Sequence, residues 1–436
     1  MTFIQGIFLN IAKRLGLDLT EKKVNSLDYF EVDNISLTAT IASRIATITL
    51  IDSDVNVAGD NQRAQALNDI LQEMEDTQLR TAIEVALGTG DCLIKPYTDG
   101  QDIGYTLIPS PNFRVIQSIG NKIKSCLVKA DQVELNNHIY ERVEYHQLLE
   151  SSGVPFLEIQ QMAFKDGMQV PLSEVSRWAD IEETTQIPNI DRMLFGRIKC
   201  PMVNRGDINS INGVPVTYGM DKVLDNAVSA YDRFNQEMED KETIIFADKT
   251  LLKKDKDNNF ILPSNKRKLF QSIRGGVDSS QLIHEYSPDI RDASLNEGIQ
   301  QNFKMLELLA GLSAGILTPP TSNFATATEM KANLQMSFAF IQAIRKSIEN
   351  CIDDVIYATN AIMNRNNITP MGAYEIVFNW SDSYIENMNE RFTALLQGEA
   401  IGAVDRAEVR AFIQNEPLDL AKEKIEEMKP SDEGLE

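Results

Sequence analysis

SPDIRDASLNEGIQQNFKMLELLAGLSAGILTPPTSNFATATEMKANLQ, residues 287–335, holds two helical patterns with a helix-forbidding stretch between them. Leu295, Ile299, Phe303, Leu306 and Leu309 form one stripe, and the pattern predicts an amphipathic helix from about Asp292 to Ser313. Pro319–Pro320 then ends any helix, because proline lacks an N–H and restricts the residue before it. Six residues after Pro320, Thr326 and Glu329 make a capping box, in which each side chain satisfies a free backbone N–H of the other. The cap explains TATE without a ligand. Beyond it Met330, Leu334, Phe338, Ile341, Ile344, Ile348, Ile352, Val355, Thr359 and Ile362 keep a three/four spacing, and no Gly or Pro interrupts Thr328 to Asn367. The pattern predicts a rod of about 50 Å, a length that suits a bundle or coiled coil better than a lone globular domain.

Upstream, Met220, Leu224, Ala227, Tyr231, Phe234 and Met238 predict a helix to about Lys241. Between the two helices lies an insert with strands predicted at TIIFAD (243–248) and FIL (260–262). From Lys249 to Arg274 eight basic residues face two acidic ones, a local +6 in a chain of net charge −22. The bland reading of this run is a solvated tip; the functional one is a contact with DNA or an acidic partner. Further upstream, residues 90–200 read as β-rich, with strands at DCLIKPY, IGYTLIP, 113–118, 122–129, 138–149 and 154–164. Residues 60–88 read as helix, and the period of 34–50 leaves helix and strand both open. Residues 201–219 are loop-like. Downstream, YEIVFNW (374–380) reads as a strand, followed by a helix to about Leu396 and a small helical unit on Val404, Val409, Phe412 and Ile413.

At 436 residues the chain is long enough for two or three structural units. A hydrophobic share of 43% and a charged share of 24% are those of a folded protein. The acidity disfavours a broad nucleic-acid-binding face. Cys92, Cys126, Cys200 and Cys351 lack CxxC spacing, which points to reduced thiols in a cytosolic setting. The N-terminal MTFIQGIFLNIAKRLGL is amphipathic but is no secretory signal, and it is expected to pack on the protein or a neighbour rather than on a membrane. No stretch approaches the roughly 18 apolar residues of a membrane span.

Catalytic chemistry finds no footing. Gly88-Thr89-Gly90 lacks the Gly-Lys-Ser/Thr of a phosphate loop and reads as a helix stop. His138, His146 and His284 show no metal spacing, and Asp232, Asp353 and Asp354 lie on polar helix faces. The expectation is a non-enzyme with no cofactor and no metal.

Helix, strand-bearing insert, returning helix, Pro/Gly loop and very long helix resemble the stem, clip, tunnel loop and wing of bacteriophage portal proteins. The local sequence is similar to portals of tailed phages of Gram-positive bacteria at ALGTGDCLIKPYTDG (86–100), SPDIRDASLNEGIQQNFKMLELLAGLSAGIL (287–317), TATEMKANLQ (326–335) and NWSDSYIENMNERFTALLQGEAIGAVDRAEV (379–409). Met330 stands where that pattern has valine, an apolar-for-apolar exchange. The resemblance implies an α+β portal-type subunit: an α/β wing over 1–219, stem helices at 220–243 and 287–313, and a β-hairpin-containing clip at 244–286. It further implies a tunnel loop at 314–327, a long wing helix and C-terminal wing at 328–399, and a small helical crown and tail at 400–436.

The resemblance also implies a ring of about twelve copies at one capsid vertex of a virion assembled in the bacterial cytoplasm. Double-stranded DNA would pass through during packaging and ejection. The terminase large subunit, a head–tail adaptor, and the major capsid and scaffolding proteins would be its partners, with no membrane. Leu317, Thr318, Pro319, Pro320, Thr321, Ser322 and Asn323 would face the channel, or else pack between subunits. Lys253, Lys254, Lys256, Lys266, Arg267 and Lys268 would form the clip docking surface. Two rivals remain: a non-viral oligomeric helical scaffold or adaptor, and a DNA-processing enzyme.

Overall fold

Residues 34–50, which the period left open, fold as helix α1 (Leu37–Thr49), with Ser36 Oγ accepting from the Ala39 N–H at 3.2 Å. The β-branched residues are reconciled with helix because the Thr40, Thr47 and Thr49 hydroxyls donate to carbonyls four residues back. The computed structural model describes residues 36–51, 53–98, 100, 102–240, 244–248, 270–273, 283–286, 291–313, 315–318, 327–380, 397–398, 404–414, 421–422 and 424–425. Strand β1 (Ser53–Ala58) follows, then helix α2 (Gln62–Met74), which passes through a π-helical turn at Glu75–Leu79 into α3 (Arg80–Thr89). Helix α3 ends at Gly90, whose φ of +102° disfavours other residues. A side chain there would also meet the Gly213 carbonyl at 2.6 Å.

Strand β2 (Asp91–Thr98) lies in a three-stranded sheet between β3 (Ile103–Pro109) and β10 (Gly196–Lys199). A six-stranded antiparallel sheet carries β4 (Phe113–Ile119), β5 (Lys122–Leu135), β6 (His138–Ser151), β7 (Val154–Lys165) and β8 (Met168–Val170), with β9 (Thr184–Pro188) also paired to β7. The β-rich expectation for 90–200 is met. Successive residues of a strand point to opposite faces. Thus Cys92 and Ile94 enter the main core with the helices, while Leu93 enters a second core against Phe113, Cys126, Val128 and Leu157 of the large sheet. Cys92, Leu93 and Ile94 form an unbroken apolar run because both faces of the strand are covered there.

Helix α4 (Asp221–Asp240) leads out of the main core, and α5 (Asp292–Leu309) returns to it. Between them β11 (Ile244–Asp248) pairs in parallel with β12 (Phe270–Ile273) and antiparallel with β13 (Ile283–Tyr286). This differs from a hairpin of 243–248 with 260–262; residues 260–262 lie outside the described ones. Helix α6 (Ala327–Asn366) has 40 residues, a rod of about 60 Å. Its Ile344, Ile348, Ile352 and Val355 lie in the main core and Ala358 in the second, so one helix joins the two. Strand β14 (Glu375–Trp380) pairs with β1, and helix α7 (Arg406–Gln414) stands near the C-terminus. The amphipathic segment at 1–17 and the helix expected before Leu396 fall outside the described residues.

Two buried polar assemblies hold this frame. Arg63, 1% exposed, donates to the carbonyls of Asn360, Thr369 and Pro370 and to Asn360 Oδ1 at 2.9 Å, locking α2 onto the end of α6. Burial lowers the Arg63 pKa from its ordinary value. Arg63→Lys keeps the charge but loses the planar fork, and is expected to cost about 2 kcal/mol in urea unfolding. The second assembly centres on Glu144 of β6. Its carboxylate pairs with Lys95, accepts from Arg142 Nη1 at 2.9 Å and Gln161 Nε2 at 3.2 Å, and lies 2.8 Å from His146 Nε2. Burial opposes ionisation of Glu144, but Lys95 and His146 overcome it and hold the carboxyl well below its ordinary range. Burial pushes His146 down, against the pull of Glu144.

Candidate functional site

The helix expected to reach Ser313 stops at Leu309, and the reason is local. Gly311 adopts φ +71°, its N–H donates to Leu308 O at 3.3 Å, and the Leu312 N–H donates to Glu307 O at 2.8 Å. These are the paired bonds of a left-handed helix closure, a conformation that glycine enters without strain. The chain then folds back on its own helix. Glu307 is 1% exposed, and its Oε1 accepts from the N–H groups of Gly315 (3.1 Å), Leu317 (2.6 Å) and Thr318 (2.9 Å). The Thr318 hydroxyl adds a contact of 3.2 Å to each carboxylate oxygen. On the other side, Ser313 Oγ lies 2.7 Å from Ser337 Oγ, and the Ser313 N–H donates to the same oxygen, tying the start of the loop to α6.

This assembly is a joint in which one carboxylate holds the turn that follows its own helix. Charge-assisted hydrogen bonds from three backbone N–H groups converge on Oε1, and the Thr318 hydroxyl adds one more to the carboxylate. The joint fixes residues 315–318 on the end of α5 and Ser313 on α6. Leu317 packs against the main core and Thr318 is buried on Glu307. Pro319, Pro320, Thr321, Ser322, Asn323 and Thr326 lie outside the described residues. Glu329 belongs to α6, which begins at Ala327, one residue after the expected cap.

The helices that lead to the insert pack on one another and share an ion pair at their far end. Arg291 Nη2 donates to Glu237 Oε2 at 2.8 Å, and Arg291 N and Nε both reach Oε1 at 3.1 Å. The stripe of α4 is buried at Ala227, yet farther out Tyr231 and Met238 are 43% and 49% exposed. On α5, Leu309 leaves the expected stripe: it stands with Met305 and Leu308 on the side away from Ile299 and Leu306, and these three are 43%, 46% and 60% exposed. Lys253, Lys254, Lys256, Lys266, Arg267 and Lys268, in the crossover from β11 to β12, lie outside the described residues.

No family model matches the chain, and no curated protein does. Among solved structures the chain is similar to one titled "Neck of native GTA particle computed with C12 symmetry", at 10% identity and a TM-score of 0.41, covering 94% of this chain and 98% of that one.

The other chemistry-bearing residues are engaged structurally. His146 is buried on Glu144, and His138 Nδ1 lies 2.5 Å from Asp166 Oδ2. Asp353 and Asp354 hold Arg192 at 2.7 and 3.0 Å. All four cysteines are buried and free, and burial pushes the thiols of Cys92, Cys126 and Cys200 up to about 12. Among the described residues no cluster of His, Cys, Asp and Glu is arranged to hold a metal, and no helix is long and apolar enough to cross a membrane. Sequence reading missed Glu307, and the signal was there: an acidic residue in the last turn of a helix opposes the helix dipole and needs another reason to stand there.

Proposed function

We propose that this chain is a non-enzymatic structural connector of a phage-type particle, a portal subunit that closes into a ring of about twelve copies. Double-stranded DNA would pass through that ring at a capsid vertex. The sequence stretches quoted above support the reading, as does the succession of paired helices, inserted sheet, bracketed loop and 40-residue helix. One observation carries it: α5 is apolar on two sides, and Met305, Leu308 and Leu309 stand about half exposed in a single copy. Side-by-side packing of identical helix pairs would cover that face, and repeated round an axis such a heterologous contact closes a ring. An acidic wall suits a channel in which DNA slides without binding. Terminase, adaptor, capsid and scaffolding contacts follow from the same reading, with the basic insert as the docking tip.

Light scattering with negative-stain imaging tests this directly: the expected result is an annulus of several subunits around a hole. A stable assembly of two to four copies would favour a coiled-coil scaffold instead. ATP hydrolysis or Mg²⁺-dependent DNA cleavage by the pure protein would overturn it. Leu308→Asp is expected to abolish the ring while leaving the circular dichroism and unfolding midpoint of the single chain nearly unchanged, because the residue is already exposed there. Reversing Lys253, Lys254, Lys266 and Lys268 to Glu is expected to leave the ring intact and lower packaged DNA per particle.

A further inference from the structure

A groove of about 440 Å³ runs between β9 and the C-terminal half of α6, roofed on one side by the loop that carries Met371. Four features of it point the same way. The first is a free strand edge. Strand β9 pairs with β7 through Leu157↔Ile187 and Ile159↔Thr185, and Glu183 O accepts from the Gln161 N–H. By the alternation of an antiparallel ladder, Thr184 and Gln186 direct their backbone N–H and C=O away from β7. Among the described residues no strand pairs with that edge.

The second is Asn364 Oδ1, a buried acceptor in the lining with no hydrogen-bond partner. A buried amide oxygen left without a donor is costly, and such atoms are rare in folded proteins. The third is charge. Arg365 is the one charged residue of the lining, it makes no ion pair among the described residues, and no carboxylate lines the groove, in a chain of net charge −22. The fourth is apolar surface: Ile187, Ile190 and Ala361 line it, and Met371 stands 80% exposed at its rim.

We propose that this groove binds an extended acidic–aliphatic segment of a partner protein, added as a strand along β9 with its carboxylate on Arg365. Strand addition supplies main-chain donors and acceptors to a free edge, while alternate side chains fill pockets. Here one peptide N–H meets Asn364 Oδ1, an aliphatic side chain lies over Ile187 and Met371, and the guanidinium takes the carboxylate. The proposal is independent of ring formation.

The test uses the full chain and a pool of fluorescein-labelled, acetylated hexapeptides that alternate Val, Ile and Thr around a central Glu. Two control pools carry Lys in place of Glu, or N-methyl groups on alternate backbone nitrogens. Fluorescence anisotropy should show saturable binding of the Glu pool. It should weaken about tenfold with Lys, with N-methylation, and in Arg365→Glu, whose unfolding midpoint should match the parent because Arg365 is exposed. Absence of saturable binding would overturn the proposal, as would binding indifferent to both N-methylation and Arg365→Glu. A photo-reactive residue at Met371 that cross-links to a second copy of the chain, and no longer does so when the copies are separated by Leu308→Asp, would assign the groove to a self-interface and overturn it as well.

Discussion

Glu307→Ala is expected to release residues 315–318 while leaving the two cores folded. In the parent chain one carboxylate oxygen accepts three backbone N–H groups, and the Thr318 hydroxyl completes the set. Alanine removes all of these at once and leaves the donors of a buried segment without partners. Each orphaned donor costs on the order of 1–3 kcal/mol, so about 4 kcal/mol of local ordering is at stake. That energy is lost from a short segment, so amide exchange at Gly315, Leu317 and Thr318 should rise about a thousandfold, and proteases should cut there first. Glu307→Gln, which keeps one oxygen in place, should retain most of the protection. If Glu307→Ala exchanged like the parent, the bracket would not be what orders the loop. If the portal reading holds, the same variant should assemble normally yet fail in DNA transit or retention.

Removing Glu144 is expected to be the most destabilising single change in the sheet. Glu144→Ala would strand Lys95 and Arg142 without their shared counter-charge and His146 Nε2 without its partner. Breaking one member of a buried ion cluster costs about 3–5 kcal/mol, which urea unfolding would report as a lower midpoint at unchanged slope. The pH dependence has a definite sign. The folded pKa of Glu144 is depressed, so its contribution is present above the unfolded glutamate value and is lost as pH falls through the folded one. His146 is depressed as well: the unfolded chain takes up a proton near pH 6.5 that the buried ring resists, so stability starts to fall there. The parent should therefore lose stability in two acid stages. Glu144→Gln should lack the lower one; a curve flat down to pH 4 in the parent would refute the account.

The elements that were legible are those whose period is set by a single buried face. The long helix showed itself through Ile341 to Val355, and the strands of the large sheet showed themselves through alternation and turn signals. Residues 37–49 were not legible because their threonines hide a helix behind β-branched composition, and only the back-bonded hydroxyls resolve it. The end of α5 was misplaced because Leu312 continues the apolar rhythm after Gly311 has already closed the helix. The pairing of β11 with β12 was not legible because a parallel pair of this kind joins residues more than twenty positions apart, beyond any local pattern. At the joint, the prolines and the cap were readable from residue types. Glu307 left one trace, an acidic residue where the helix dipole disfavours it, but the backbone donors it binds were not readable from residue types.

The ion pair between Glu237 and Arg291 has a consequence for how such a chain can change over time. Two helix ends are stapled together where the insert begins and finishes, so a replacement has to satisfy one short gap and little else. Segments of quite different length or charge are interchangeable there. The opposite holds at β2, which is one wall of two cores and allows no graft on either side without a change on the other. Lineages of this architecture should thus drift fastest between positions 241 and 290, and the insert can be re-tailored while the rest stands still.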